Sequence, residues 1–554
     1  MKNIWKISAV AVSALMLTFA QPAWGLSWLA WLAWVPFIVI CSPNTKVRTL
    51  FLIIYPVSAL YWLVNLYWMG LVTWPGWLVF CFYTALLWPL FAIAVRYCRI
   101  RKIPLFIAVP ILVVGAERLQ GLFLGGFYWR HLSHSQYANT LLIQMADIFG
   151  AAGISFLIAM TNAAIADFFT ASFRGKWLTV SKCIKAVVVS LAIVTALLYG
   201  RFRIEQADDF IEYSPLVASV QSNVPQSVKE SCQDESEILT GLLTQSDDGI
   251  KAGARLVIWP ETMVMANLDK KVLDRLGPSY TCNIVDDTLK SYAKDNTAYI
   301  LVGAYGGTLK DSELSFAARY NSAFLYQPDG SKADCHYNKI HLVPFGEVVP
   351  FKRSCPSLYK MLMKFTPYDY DYSLDYGEQY TVFEMNDTDS RVYNFGVMIC
   401  YEDTIPMIAR RFTAVESGQK RVDWLVNISN DGWFVKSGTD GVGATTELIE
   451  HMVSCVFRAV ENRTAIIRSV NTGISCMVDT VGRIRNDYKV GNLAKKAVNR
   501  QVVAGWFADK VPIDKRVTVF NRYGQWLDCC CAVGFVLCVA AAIGNSARKN
   551  KKRG

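Results

Sequence analysis

Long apolar runs crowd into residues 1 to about 200 and return once near 525–545. No other feature limits the fold as strongly. Crossing a bilayer takes about 20 mostly apolar residues in a helix. Eight stretches meet that need: Ile7–Trp24, Leu26–Cys41, Leu50–Val72, Trp77–Tyr97, Ile103–Leu124, Thr140–Phe169, Val180–Tyr199 and Trp526–Ile543. The region between the last two has ordinary globular composition. With 53% hydrophobic residues among 554, a wholly soluble chain is excluded. The expected fold is a multi-pass α-helical membrane bundle of about eight transmembrane helices plus a soluble α/β domain. Residues 1–205 would hold seven helices, residues 206–512 the soluble domain, and residues 513–554 a last helix with a basic tail.

Lysine and arginine set the orientation of such a bundle, because they are retained in the cytoplasm. Lys2 and Lys6 precede the first stretch. Lys46 and Arg48 lie between the second and third. Arg96, Arg99, Arg101 and Lys102 lie between the fourth and fifth, and Arg174, Lys176, Lys182 and Lys185 between the sixth and seventh. Arg548, Lys549, Lys551, Lys552 and Arg553 end the chain, whereas the alternate loops carry little charge. Both termini are therefore expected in the cytoplasm, with the soluble domain on the opposite side. A cleaved signal peptide is the other reading of the first stretch, with Thr18-Phe19-Ala20 as a poor cleavage site. Cleavage would leave the remaining helices oriented as before. Glu117, Arg118 and Asp147 fall in or beside apolar stretches, and charges at that depth face a cavity or one another.

The net charge is +11. Much of the excess sits in cytoplasmic loops and the tail, where topology accounts for it, so nucleic acid is not an expected partner. Of 15 cysteines, those in apolar stretches, such as Cys529, Cys530, Cys531 and Cys538, act as small apolar residues. The soluble domain holds Cys232, Cys282, Cys335, Cys355, Cys400, Cys455 and Cys476. Setting Cys400 aside as a working thiol leaves six that can pair in an oxidising space, in no order the sequence fixes. No spacing suggests a zinc site and the five histidines are scattered, so neither metal nor cofactor is expected.

Short β-rich runs recur in the soluble domain: Leu216–Val220, Leu256–Trp259, Tyr299–Val302, Val392–Ile399 and Trp424–Ile428. Helical patterns lie between some of them. In Thr445–Asn462, Leu448, Met452, Val453, Val456 and Val460 share one face. Three runs end in polar residues. Glu261 follows VIWP, Cys400 follows FGVMI, and Ser429-Asn430-Asp431 follow WLVNI. In open α/β sheets functional groups gather beyond the carboxyl ends of strands. Singly, a cysteine that ends an apolar strand fills core, a glutamate after proline caps a turn, and Lys339 in YNKIHLVPFGE is solvated. Together, a carboxylate, an ammonium and a thiol are what acyl transfer through a thioester needs. The carboxylate moves the proton, the cation steadies an oxyanion, and the thiol carries the acyl group.

Those motifs resemble the nitrilase (carbon-nitrogen hydrolase) superfamily, and within it the apolipoprotein N-acyltransferase family, over nearly the whole chain. The resemblance implies an α-β-β-α sandwich and a Glu–Lys–Cys triad of Glu261, Lys339 and Cys400. It implies supporting roles for Glu347 in PFGE and for Tyr401 and Glu402 after the cysteine. ISNDGWF at Ile428–Phe434, RSVNTGIS at Arg468–Ser475, Val220–Gln226, and Gly126-Phe127-Tyr128-Trp129 with Ser135-Gln136 also fit. Two positions depart from the family: Glu230 after Lys229 replaces a tryptophan, and Tyr128 replaces a proline. The first bears on how lipid is held near the site.

As the resemblance implies it, a phospholipid donates an acyl group to Cys400. The α-amine of an N-terminal diacylglyceryl-cysteine on an apolipoprotein then accepts it, the last step of lipoprotein maturation. The enzyme would sit in a bacterial inner membrane as a monomer, its catalytic domain facing the periplasm. The alternatives are a membrane-tethered amidase or nitrilase with water as acceptor, and a transporter with an appended domain, for which no inverted hydropathy repeat is evident. A final expectation concerns the thiol: a nearby lysine lowers a cysteine pKa, and Glu402 and Asp403 would oppose this unless one of them faces away or pairs with a cation.

Overall fold

The structure, a computed structural model, describes residues 3–122, 126–172, 179–226, 235–311, 314–349, 351–352, 354–364, 366, 371–438 and 441–551. Leu124, Arg174, Lys176, Lys229, Glu230, Cys232, Lys552 and Arg553 lie outside the described residues. The chain forms two compact units, one of Met1–Glu205 with Tyr523–Gly554, the other of Gln206–Arg522.

The first unit is helical. Among the described residues, five helices are long and apolar enough to cross a membrane: Val47–Asn65, Trp74–Ile100, Ala151–Thr170, Val180–Phe210 and Trp526–Asn545. Ile4–Ala20, Ser27–Ile40 and Thr140–Phe149 are shorter apolar helices, and Leu105–Gln120 has 16 residues. The difference from eight uninterrupted spans has local causes. Gly150, at φ +66 and ψ −177, turns the chain between Ala146–Phe149 and Ala151–Ser172, so the expected Thr140–Phe169 helix is broken. The third helix stops at Asn65, and Met69–Val72 forms a separate turn.

Asp147 and Arg118 face opposite charges within this unit, and Glu117 meets a backbone N–H. Asp147 accepts from the Tyr199 hydroxyl at 2.8 Å and from Arg203 Nε at 2.9 Å. Glu117 accepts from the Leu132 N–H at 2.6 Å. Arg118 donates to the Tyr128 hydroxyl at 2.9 Å and lies 3.8 Å from Asp528. Tyr128, the departure from the family pattern, thus meets a buried cation. Helices Leu105–Gln120 and Trp526–Lys551 pack closely: a Cβ at Gly115 would stand 2.4 Å from the Cys531 carbonyl oxygen. Small residues permit such contact between membrane helices, where dispersion replaces the hydrophobic drive.

The second unit is built on two mixed sheets. The first, seven-stranded, runs Val490–Gly491, Gly505–Asp514, Ile211–Gln221, Leu256–Ile258, Tyr299–Leu309, Phe316–Tyr326 and Tyr337–Asn338. The second, five-stranded, runs Cys476–Val478, Ile466–Val470, Trp424–Ser429, Val392–Ile399 and Val382–Asn386. In each the three central strands are parallel and the outer ones antiparallel. Strands buried on both faces read as continuous apolar runs, and Leu256–Ile258 and Trp424–Ser429 are buried at every position.

Helices Glu235–Lys251 and Thr281–Asp295 cover the first sheet, and Pro406–Phe412 and Glu447–Asn462 lie on the second. The sheets face each other. Ser219 Oγ donates to the Arg468 carbonyl at 2.9 Å, and Ser469 Oγ to the Val220 carbonyl at 2.7 Å. This is the four-layer α-β-β-α sandwich expected. Helix Glu447–Asn462 departs from the amphipathic reading in one respect: its polar residues His451, Arg458 and Glu461 are buried as well. Six of the soluble-domain cysteines are described, and all six are free thiols. No disulfide is present among the described residues.

Candidate active site

Glu261 follows the strand Leu256–Ile258 through Trp259 and Pro260 and is 5% exposed. Three donors fix its carboxylate. Oε1 accepts from Asn321 Nδ2 at 2.7 Å and from Lys339 Nζ at 3.1 Å, and Oε2 accepts from the Asn430 backbone N–H at 2.9 Å. A carboxylate held this way keeps one orientation. The turn also needs space beside it. A Cβ at Gly303 would stand 2.5 Å from the Pro260 carbonyl oxygen and 2.8 Å from Glu261 Cα, so only glycine lets the neighbouring strand approach.

Lys339 is 1% exposed and lies between two carboxylates, Glu261 at 3.1 Å and Glu347 at 2.9 Å. Burial opposes its charge, but Glu261 and Glu347 outweigh burial and raise its pKa well above the usual lysine range. Glu347 is held by the Val343 N–H at 2.8 Å and by the same Asn321 Nδ2, also at 2.8 Å. Asn321 therefore orients both carboxylates, and its carbonyl accepts from the Lys339 N–H at 2.8 Å. The sequence reading passed over Asn321. It lies mid-strand in RYNSA, and its signal is a polar residue two positions before the strand's apolar run begins at Ala323.

Cys400 opens the tight turn Cys400–Thr404 directly after the strand Val392–Ile399. Its φ of +52 is a left-handed conformation that costs a non-glycine residue about 1–3 kcal/mol. At that position the thiol feels the charges of both Glu261 and Lys339. Burial pushes the Cys400 thiol well up, Glu261 pushes it further, and Lys339 only partly opposes them. Lys339 lowers the thiol as expected, but burial and Glu261 outweigh it.

Glu402 is fully buried, and its carboxylate is held by backbone N–H groups and a tyrosine hydroxyl. Its Oε1 accepts from the N–H groups of Ile340 at 2.7 Å and His341 at 3.0 Å, and its Oε2 from the Ile399 N–H at 2.8 Å. The Tyr337 hydroxyl adds a bond at 2.9 Å. Glu402 thus ties the Lys339 segment to the Cys400–Thr404 turn. Tyr401 stacks on His341 at 5.7 Å between ring centres. Asp403 pairs with Arg468 at 2.7 Å and His451 at 3.1 Å, which meets the expectation that one of the two acids finds a cation.

Burial raises Glu402 to about 7, against the pull of the Ile399 and His341 N–H groups. The unfolded value is about 4.3. A raised carboxylate contributes stability when protonated, and this is lost as pH climbs from the unfolded to the folded pKa. Glu402→Gln is accordingly expected to flatten the fall in thermal stability between roughly pH 4.5 and 7. Melting curves of both proteins across that range check this, and equal slopes would refute it.

Among the described residues, Asp431, Glu447 and His451 form a grouping with metal-donor spacing. Arg468 donates to Asp431 at 2.9 Å and lies 2.9 Å from His451 Nδ1, so a guanidinium already supplies positive charge there.

Residues 216–506 match the carbon-nitrogen hydrolase family, and residues 13–164 match the apolipoprotein N-acyltransferase N-terminal domain. The apolipoprotein N-acyltransferase of Geobacter metallireducens is 28% identical over 545 residues, which cover 96% of this chain and 94% of that protein. That of Chlorobaculum tepidum is 26% identical over 555 residues, 96% of each chain. An amidase of the nitrilase superfamily from Nesterenkonia AN1 aligns at a TM-score of 0.35 with 13% identity, over 56% of this chain and 92% of that one.

Proposed function

This chain belongs to the carbon-nitrogen hydrolase family, and from that premise we propose that it is an apolipoprotein N-acyltransferase working through a thioester on Cys400. The observation that carries the mechanism is the convergence of a buried thiol, an oriented carboxylate and a buried ammonium in a chain that also holds apolar helices of membrane-crossing length.

The acyl donor is a phospholipid. Glu261 takes the Cys400 proton while sulfur attacks the ester carbonyl. Lys339, with the backbone N–H groups that open the Cys400–Thr404 turn, stabilises the tetrahedral oxyanion. The C–O bond to glycerol breaks, Glu261 returns the proton to that oxygen, and lysophospholipid leaves. Cys400 then holds the acyl chain as a thioester. The α-amine of a diacylglyceryl-cysteine at the apolipoprotein N-terminus attacks next. Glu261 removes its proton, the C–S bond breaks, the thiol is restored and an amide remains. Ping-pong kinetics follow.

Retaining lipid chains in the bilayer is worth about 0.8 kcal/mol per CH₂, so neither substrate leaves readily and the thiol must come to the membrane surface. The helices, eight spans in this reading, supply that placement in a bacterial inner membrane. The catalytic domain faces the periplasm, and the protein works as a monomer.

Intact-mass measurement after exposure to phospholipid vesicles tests the reading. The expected result is one fatty-acyl adduct, mapped by digestion to Cys400 and discharged by a diacylated cysteinyl peptide. Ammonia release from small amides without lipid, and no adduct, would instead make the protein a hydrolase.

A further inference from the structure

Beneath the triad lies a closed ring of buried charges that the acyl-transfer steps do not use. Arg468, on the strand Ile466–Val470, is fully buried. It donates from NH1 to Asp403 Oδ2 at 2.7 Å and from NH2 to Asp431 Oδ2 at 2.9 Å. His451, on helix Glu447–Asn462, bridges the same two acids on their other oxygens. Its Nε2 faces Asp403 Oδ1 at 3.1 Å and its Nδ1 faces Asp431 Oδ1 at 3.0 Å. Both ring nitrogens meet carboxylate oxygens, as in an imidazolium, while Nδ1 also lies 2.9 Å from Arg468 Nη2 and 3.3 Å from Glu447 Oε1. Burial and Arg468 oppose that charge, yet Asp403 and Asp431 hold the His451 pKa up to about 10. Two cations and two carboxylates balance. Glu447 beside them lies 3.3 Å from His451 Nδ1, and burial raises its pKa well above the carboxylate range, with Asp431 adding to the rise.

The two bridged acids belong to the two moving parts of the chemistry. Asp403 sits in the nucleophile turn, three positions after Cys400. Asp431 follows Asn430, whose N–H holds Glu261 Oε2. Arg468 NH1 also donates at 2.8 Å to Asn427 Oδ1, and Asn427 Nδ2 donates to the Cys400 carbonyl at 3.2 Å. One guanidinium therefore reaches the thiol's own backbone by one route and the base's anchor by another.

We propose that Arg468 and His451 are positioning residues, and that their double bridge between Asp403 and Asp431 fixes the spacing of Cys400 from Glu261. The inference rests on the acyl-transfer reading. Burying four charges is expensive unless the geometry is closed and each lone pair is met, and an apolar filling of equal volume is often as stable. Stability alone does not call for this ring. Its closure onto the segments of both the nucleophile and the base gives it a role in alignment, where a 1 Å error costs about 10²-fold in rate.

The test is a double-mutant cycle on the full-length protein, read as the single-turnover rate of Cys400 acylation from phosphatidylethanolamine vesicles. Lysine at 468 keeps the charge but cannot bridge two carboxylates. Arg468→Lys is expected to lower acylation about 10²-fold with the half-saturating lipid concentration unchanged. In a Glu261→Gln background, where alignment with a base no longer matters, it should lower the residual rate less than about 3-fold. An equal loss in both backgrounds would reduce the ring to a structural element and overturn the proposal, as would an undiminished rate in Arg468→Lys alone. His451→Gln runs through the same comparison if Arg468→Lys does not fold. One equivalent of transition metal in the purified protein would replace the imidazolium and also overturn the bridge. Failure of the unsubstituted protein to acylate is a different result and strikes the proposed function.

Discussion

Cys400→Ser lowers acyl transfer by at least about 10³-fold and leaves the fold and the melting temperature nearly unchanged: that is the expected result. The substitution swaps one atom at a position that is 8% exposed and whose backbone strain is independent of the side chain's last atom. What changes is acidity. Burial and the Glu261 carboxylate already make the thiol hard to ionise. A hydroxyl in the same place is harder still, and Glu261 alone cannot strip it as the bond forms. Sulfur is also the better leaving group when the amine attacks, so any acyl chain that reaches the substituted hydroxyl should stay there as an ester. Labelled phospholipid, a peptide acceptor and a melting curve measure all three effects. Full transfer by Cys400→Ser would remove the covalent step from the mechanism. Loss of transfer with loss of fold would leave the thiol's role unproved, and intact-mass detection of the adduct on Cys400 in the unsubstituted enzyme then decides.

Glu261 and Cys400 were legible as candidates because each follows an apolar strand, and strand ends are where open sheets present chemistry, whereas Lys339, in a polar segment, drew its candidacy from the family resemblance. The strands at Val392–Ile399 and Trp424–Ser429 were read within one residue for the same reason: their apolar runs are continuous and sharply bounded. What the sequence hid was the wiring. Asn321 holds both Glu261 and Glu347 with one amide nitrogen, yet 60 positions separate it from Glu261. Arg468 meets Asp403 across 65 positions and Asp431 across 37. Contacts of that separation leave no periodic trace. The buried polar residues of Glu447–Asn462 were hidden by their own pattern, since a helix with one apolar face reads as half-solvated until another layer is known to cover it. For the thiol, the lowering by a nearby lysine was legible and the larger opposing effect of burial was not. In the helical unit, composition located the apolar stretches, but Gly150 decided where one of them breaks.

Lys339→Met should separate the electrostatic work of the site from its packing. Methionine fills the volume of the lysine stem but leaves Glu261 and Glu347 facing each other without their shared cation. Breaking a buried pair in this way costs about 3–5 kcal/mol of stability, because the remaining charges are uncompensated. Loss of the oxyanion partner costs about a further 10²–10³-fold in transfer. The pH dependence follows from the sign of each shift. In the unsubstituted protein the Lys339 pKa is raised, so its contribution is complete below the unfolded value of about 10.4 and is lost only as pH rises through the folded one. Between about pH 6 and 8 this group adds no slope. In Lys339→Met one of the two carboxyls must hold a proton, its folded pKa now lies above the unfolded value of about 4.3, and stability falls as pH rises through that window. Adding Glu347→Gln removes the second charge, so Lys339→Met/Glu347→Gln should recover most of the stability and lose the slope while transfer stays at the level of Lys339→Met. Recovery of transfer along with stability would show that the lysine only balances charge, and the oxyanion would then need another partner.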